Sequence, residues 1–133
     1  MNAQKKAKVI AALKELKTAN PWKGTRNQRI EKFEKLNSKL CTIFGRRVSV
    51  NYDELGESPD NWSGSGRTSY LVDSQTIVPR GRLSVITFLH KWLNIVNVDE
   101  ELEEIDTLEL AAELFKTVFP DKFAKLRQTS NGA

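Results

Sequence analysis

The stretch Leu83-Ser84-Val85-Ile86-Thr87-Phe88-Leu89-His90-Lys91-Trp92-Leu93-Asn94 most constrains what this chain can fold into. Val85, Phe88, Leu89, Trp92, Leu93 and Val96 leave little room for a solvent face. A helix from about Leu83 to Val96 is therefore expected to run through a core. Ser84, Thr87, Lys91 and Asn94 recur at spacings of three, four and three and form one polar stripe along it. His90 borders the stripe. Such a stripe must meet solvent, a polar cleft or hydrogen-bonding partners. The bland alternative is the exposed side of a core helix, with His90 bonded to backbone.

The rest of the chain supplies what that helix packs against. Residues 3–19 carry Val9, Ile10, Leu13 and Leu16 at helical spacing, and Asn20-Pro21 stops the helix. Thr25-Arg26-Asn27-Gln28 reads as a capping box. A second helix follows, with Ile30, Phe33, Leu36, Leu40, Ile43 and Phe44 on one face and Gly45 as its stop. Trp22, in the linker, is expected to pack between these two helices. Arg47 to Tyr52 alternates and reads as a strand. Residues 53–66 are rich in turn formers and read as a loop. Thr68 to Val72 and Thr76 to Val78 are strand candidates, and Asp73-Ser74-Gln75 suits a hairpin turn between them. A last helix is expected from about Thr107 to Val118, interrupted at Pro120, with a short turn from Asp121 to Leu126.

The expected class is α+β: a helical front, a small antiparallel sheet or hairpin, a buried central helix and a C-terminal helix. The 133 residues fit one domain. Its parts are a basic front (1–47), strands and loop (48–80), the central and C-terminal helices (81–127) and a flexible tail (128–133).

Charge is unevenly spread. Residues 1–47 carry 13 Lys/Arg against 3 Asp/Glu, whereas residues 99–113 carry 8 Asp/Glu and no Lys/Arg. Lys5, Lys8, Arg26, Arg29, Arg46 and Arg47 are candidate contacts to nucleic-acid phosphates. They equally suit the solvated faces of two amphipathic helices. The acidic run is either a solvated loop or lies against the basic helices.

Several chemistries are excluded or unsupported. Cys41 is the only cysteine, so no internal disulfide forms, and it is expected to be packed rather than reactive. With no apolar run long enough to span a bilayer and no apolar signal core after Met1, a cytoplasmic setting is expected and no membrane partner. Ser63-Gly64-Ser65-Gly66-Arg67 lacks the lysine and following helix of a phosphate-binding loop and reads as a connection. Asp53, Glu54, Glu57 and Asp60 lack calcium-loop spacing. No nucleophile elbow supports a Ser-His-acid or Cys-His arrangement.

Ser69-Tyr70, Thr76-Ile77-Val78 and Gly81-Arg82-Leu83-Ser84-Val85-Ile86-Thr87-Phe88-Leu89-His90 together resemble a family of small prokaryotic zincin-like metallopeptidases. Leu114-Phe115, Phe119-Pro120, Phe123 and Leu126 are similar to the segment that closes those proteins, and Pro21-Trp22 with Arg29 to Phe33 to their front. The resemblance covers most of residues 5–126 and is sharpest at 81–90 and 114–123. It implies a zincin-like scaffold with an H-E-x-x-H helix, in which two His ligate zinc and the Glu is general base. His90 matches the first ligand. Lys91 stands where the Glu belongs, and Asn94 where the second His belongs. Glu104, Asp106 or Glu109 matches the acidic third ligand. His90 is the only histidine, and an ammonium at the Glu position repels Zn²⁺.

The expectation is a degenerate member of that family without catalytic residues, metal or cofactor. Its function would be binding a protein or peptide, with Ser84 and Thr87 lining the cleft beside the sheet edge. The alternative is nucleic-acid binding through the basic front helices.

Overall fold

The computed structural model describes residues 1–56, 70–73, 75–81 and 83–125. The Ser63–Arg67 connection, Thr68 and Ser69 of the expected strand, Ser74 of the turn, Arg82, Leu126 and the tail at 128–133 lie outside the described residues.

Helix α1 (Ala3–Ala19) starts where the Asn2 side chain accepts from the Lys5 amide at 2.8 Å. It stops where Asn20 turns left-handed, at φ 57°. Val9, Ala12, Leu13 and Leu16 form its buried stripe. Helix α2 (Arg26–Phe44) opens on the expected capping box. The Gln28 amide donates to Thr25 Oγ1 at 3.2 Å, and the Thr25 amide donates back to Gln28 Oε1 at 2.9 Å. Gly45, at φ 62°, closes the helix.

Strand β3 (Thr76–Val78) is the middle of a three-stranded mixed sheet. Strand β2 (Tyr70–Asp73) pairs with it antiparallel, Leu71 opposite Ile77, with an irregularity between Leu71 and Asp73. This is the expected hairpin. Strand β1 (Ser49–Val50) is shorter than the alternation suggested and lies parallel to β3, Val50 opposite Ile77. Parallel pairing requires a long crossover, and the chain from residue 51 to β2 supplies it.

Helix α3 (Val85–Ile95) begins two residues later than expected, because Ser84 is its N-cap. Helix α4 (Thr107–Val118) is capped by Asp106, which accepts from the amides of Leu108 at 3.0 Å and Glu109 at 3.1 Å. Helix resumes over residues 120–125 beyond the break at Phe119.

The core sits where α3 meets α4, α1 and α2 meet each other, and β3 passes beneath. Leu13, Phe33, Ile77, Phe88, Trp92 and Leu114 are buried at its centre. Burying a side chain of this size stabilises by about 1.5–3 kcal/mol. Trp22 does not pack between α1 and α2 as expected. Its ring meets Phe119 edge-on at 5.3 Å and Phe115 at 6.5 Å, with the Lys122 ammonium 4.6 Å from its centroid. Among the described residues, no helix is long and apolar enough to cross a membrane.

Candidate functional site

The polar stripe of α3 is half-buried along its length. Ser84 and Thr87, the residues expected to line a cleft, are bonded to each other. Ser84 Oγ accepts from the Thr87 amide at 3.3 Å and from Thr87 Oγ1 at 3.2 Å. Both are engaged in starting the helix, because the first-turn amides have no intrahelical acceptor. At the other end, Asn94 Oδ1 accepts from Thr107 Oγ1 at 2.7 Å, tying α3 to the first residue of α4.

His90 and Lys91 lie between these ties. Burial holds the His90 imidazole below its ordinary range of 6.5, the Lys91 ammonium lowers it further, and Asp106 opposes them. His90 is therefore neutral near pH 7. Of the three acidic candidates, Asp106 is the one whose charge reaches His90. Its carboxylate already caps α4. Glu104 and Glu109 are exposed.

A zinc ion does not fit this donor set. The group offers one imidazole, an amide oxygen that accepts from a threonine hydroxyl and a carboxylate that caps α4, with the Lys91 ammonium beside the imidazole in sequence. No group of three His, Cys, Asp or Glu side chains suited to a metal gathers among the described residues.

Beneath the stripe, Trp92 Nε1 donates to Asn37 Oδ1 at 3.0 Å, and Asn37 Nδ2 donates to the Val48 carbonyl at 2.8 Å. Periodicity alone does not single out Asn37. Its signal was available: it lies four residues after Phe33 and three before Leu40, on the apolar face. Cys41 shares this corner, half-buried, with Sγ 3.6 Å from the same carbonyl.

Part of the basic front is committed to the fold. Lys5 Nζ pairs with Glu100 at 2.6 Å, and the Met1 amino group donates to the Glu100 carbonyl at 2.6 Å. Arg46 pairs with Asp99 at 2.5 Å and reaches the Ile95 carbonyl at 3.4 Å. Arg26 Nη2 donates to the Tyr52 carbonyl at 2.8 Å. Arg29 is a correction to the phosphate set: it is 1% exposed and cannot reach a phosphate outside. It precedes Phe33 by one helical turn and so falls on the buried face of α2. Burial, and then Arg26, lowers its pKa. Burial raises the nearby Tyr52 hydroxyl, and the Glu34 carboxylate adds to the effect. Lys8 and Arg47 remain exposed.

A groove runs along the outer junction of α1 and α2. Ala11, Ala12, Leu16, Ala19 and Ile43 supply apolar surface to it. Lys8, Lys23, Lys35 and Lys39 stand along it with Glu15 and Glu31. Lys39 pairs with Glu15, and Lys32 Nζ donates to the carbonyls of Asn20 and Lys23. The side chains of Lys8, Lys23 and Lys35 have no ion pair or hydrogen bond among the described residues. Small residues at the junction of two helices leave space that larger ones would fill, and the lysine stems flank it.

Comparison with models of protein families, with curated proteins and with solved structures found no match.

Proposed function

We propose that this chain is a non-catalytic binding protein on a zincin-like metallopeptidase scaffold, and that the α1–α2 groove receives an acidic, amphipathic segment of a partner protein. The observation that carries this reading is the make-up of the groove: an apolar floor beside three lysines that no internal partner engages. An amphipathic helix docks into such a groove through its apolar face, with charge complementarity fixing its orientation. The state of the α3 stripe supports the non-catalytic part. Ser84, Thr87 and Asn94 make structural hydrogen bonds, and His90 with Lys91 supplies one imidazole and an ammonium rather than a set of zinc ligands.

Nucleic acid is the second reading, and the side-chain placements weigh against it. Lys5, Arg26 and Arg46 are held by internal partners and Arg29 is buried. The test compares two labelled probes by fluorescence anisotropy: a synthetic acidic amphipathic helix of unrelated sequence, and a duplex DNA. The reading expects the peptide to bind and Lys8→Glu with Lys35→Glu to abolish that binding. Duplex binding that outcompetes the peptide would reverse the assignment. A log K against log salt slope near −0.9 per phosphate contacted would identify such binding as phosphate-driven.

A further inference from the structure

We infer that the acidic segment that fills the groove is the α4 face of a second copy of this chain, so that the protein associates with itself head to tail. This rests on the groove reading above and names its occupant. Ile105 and Leu108 are large apolar side chains left 48% and 49% exposed. They are bordered by exposed carboxylates at Glu101, Glu104 and Glu109. Leu108 flanks the buried stripe of Ala111, Leu114, Phe115 and Val118 at the start of α4, and Glu109, Glu113 and Lys116 form the outward face. The surface is thus apolar at its centre and negative around it. The groove is apolar at its floor and positive at Lys8, Lys23 and Lys35. The two match in shape class and in sign.

The match must be made between molecules. Helix α4 packs against α1 and α3 through its buried face, so its outer face points away from its own chain's groove. The formal charge of +4 opposes self-association on average. Its uneven distribution makes one relative orientation attractive. Because groove and face are different patches, the contact is heterologous. It continues beyond two chains unless a ring closes.

Sedimentation velocity of the full chain over a concentration series tests this. At about 0.1 M salt the weight-average mass should rise with concentration. At about 1 M salt, where the screening length falls from about 10 Å to about 3 Å, the association constant should drop at least tenfold. The groove variant Lys8→Glu with Lys35→Glu, and the face variant Ile105→Lys with Leu108→Lys, should each remain monomeric. All four positions are partly or fully exposed, and unchanged circular dichroism confirms that the variants fold. The milder Lys8→Ala with Lys35→Ala should weaken association in the same direction. Each quenched variant keeps one intact patch. An equimolar mixture should therefore form a species of two chains and none larger. A wild-type chain that stays monomeric throughout the series, association that survives in both variants, or a mixture that stays monomeric would each overturn the inference. If the wild type is monomeric while the unrelated acidic peptide still binds, the second copy is the wrong occupant and the groove reading stands. If the peptide also fails, both fall.

Discussion

Trp92 Nε1 donates to Asn37 Oδ1 at 3.0 Å across 55 residues, and joins the centre of α3 to the centre of α2 inside the core. Asn37 passes the connection on to β1 through the Val48 carbonyl. A buried amide with donors and acceptor engaged sets the relative positions of three elements, whereas apolar packing alone tolerates sliding.

Removing one partner is expected to cost more than removing both. Asn37→Leu orphans the indole N–H, at roughly 1–3 kcal/mol, and leaves the Val48 carbonyl with the weaker Cys41 thiol alone. Trp92→Phe orphans the Asn37 amide oxygen. The double substitution should be less destabilising than the sum of the two, and urea denaturation of the cycle measures the difference. Trp92→Ala should cost about 3–5 kcal/mol, because it also empties a fully buried site. Strict additivity in the cycle would mean that the bond contributes nothing.

The zinc reading has a repair experiment. The wild-type chain is expected to retain no stoichiometric zinc after dialysis, measured by elemental analysis. Lys91→Glu with Asn94→His places two imidazoles one turn apart on α3, with Asp106 nearby, and should bind zinc detectably by calorimetry. The exchange also breaks the Asn94–Thr107 bond, so a modest loss of stability in the apo variant is expected. A folded double variant that ignores zinc would sink the zincin-like assignment of α3.

His90 should make the protein acid-sensitive in a defined window. Its folded pKa lies below the ordinary 6.5, so the unfolded chain binds its proton first as pH falls. Stability is then fully present above about 6.5 and declines below it, until the lowered folded pKa is passed. His90→Gln should flatten the melting temperature across that interval and leave the neutral-pH value little changed. An identical acid limb in the variant would assign the decline to other groups.

The entry to α2 should be sensitive to a single methyl group. Gly24 adopts φ +106°, and a Cβ there would lie 2.6 Å from Gln28 Oε1, the atom that accepts from the Thr25 amide. Gly24→Ala should therefore strain the backbone and displace the capping glutamine together, costing more than about 1 kcal/mol. Thr25→Ala, which removes the other half of the box, should cost about 0.5–2 kcal/mol. Thermal denaturation should show the two to be non-additive, since both act on the same cap.

Much of the fold was legible because it rests on local chemistry. The capping box at Thr25 and Gln28, the stop at Gly45 and the 3.6-residue apolar period of α1 to α4 involve neighbours in the chain, and each appears where the pattern predicts. Phe88 and Trp92 were readable as core for the same reason. Ser84 shows the limit of periodicity: it continues the spacing of the stripe, yet its hydroxyl serves as the N-cap, which competes with a helical position. Asn37 shows another limit. A polar residue on an apolar face is a visible anomaly, but its partner lies on a different helix.

The sequence by itself determined the α+β class, the helices, the uneven charge and the single histidine. Tertiary structure alone decided which charges are available. Lys5 and Arg46 were spent on Glu100 and Asp99, Arg29 was buried one turn ahead of Phe33, and Lys8, Lys23 and Lys35 were left along a groove. Composition counts these lysines and arginines alike. Coulomb attraction and desolvation depend on distance and burial, which only the packing of α1, α2 and α4 sets.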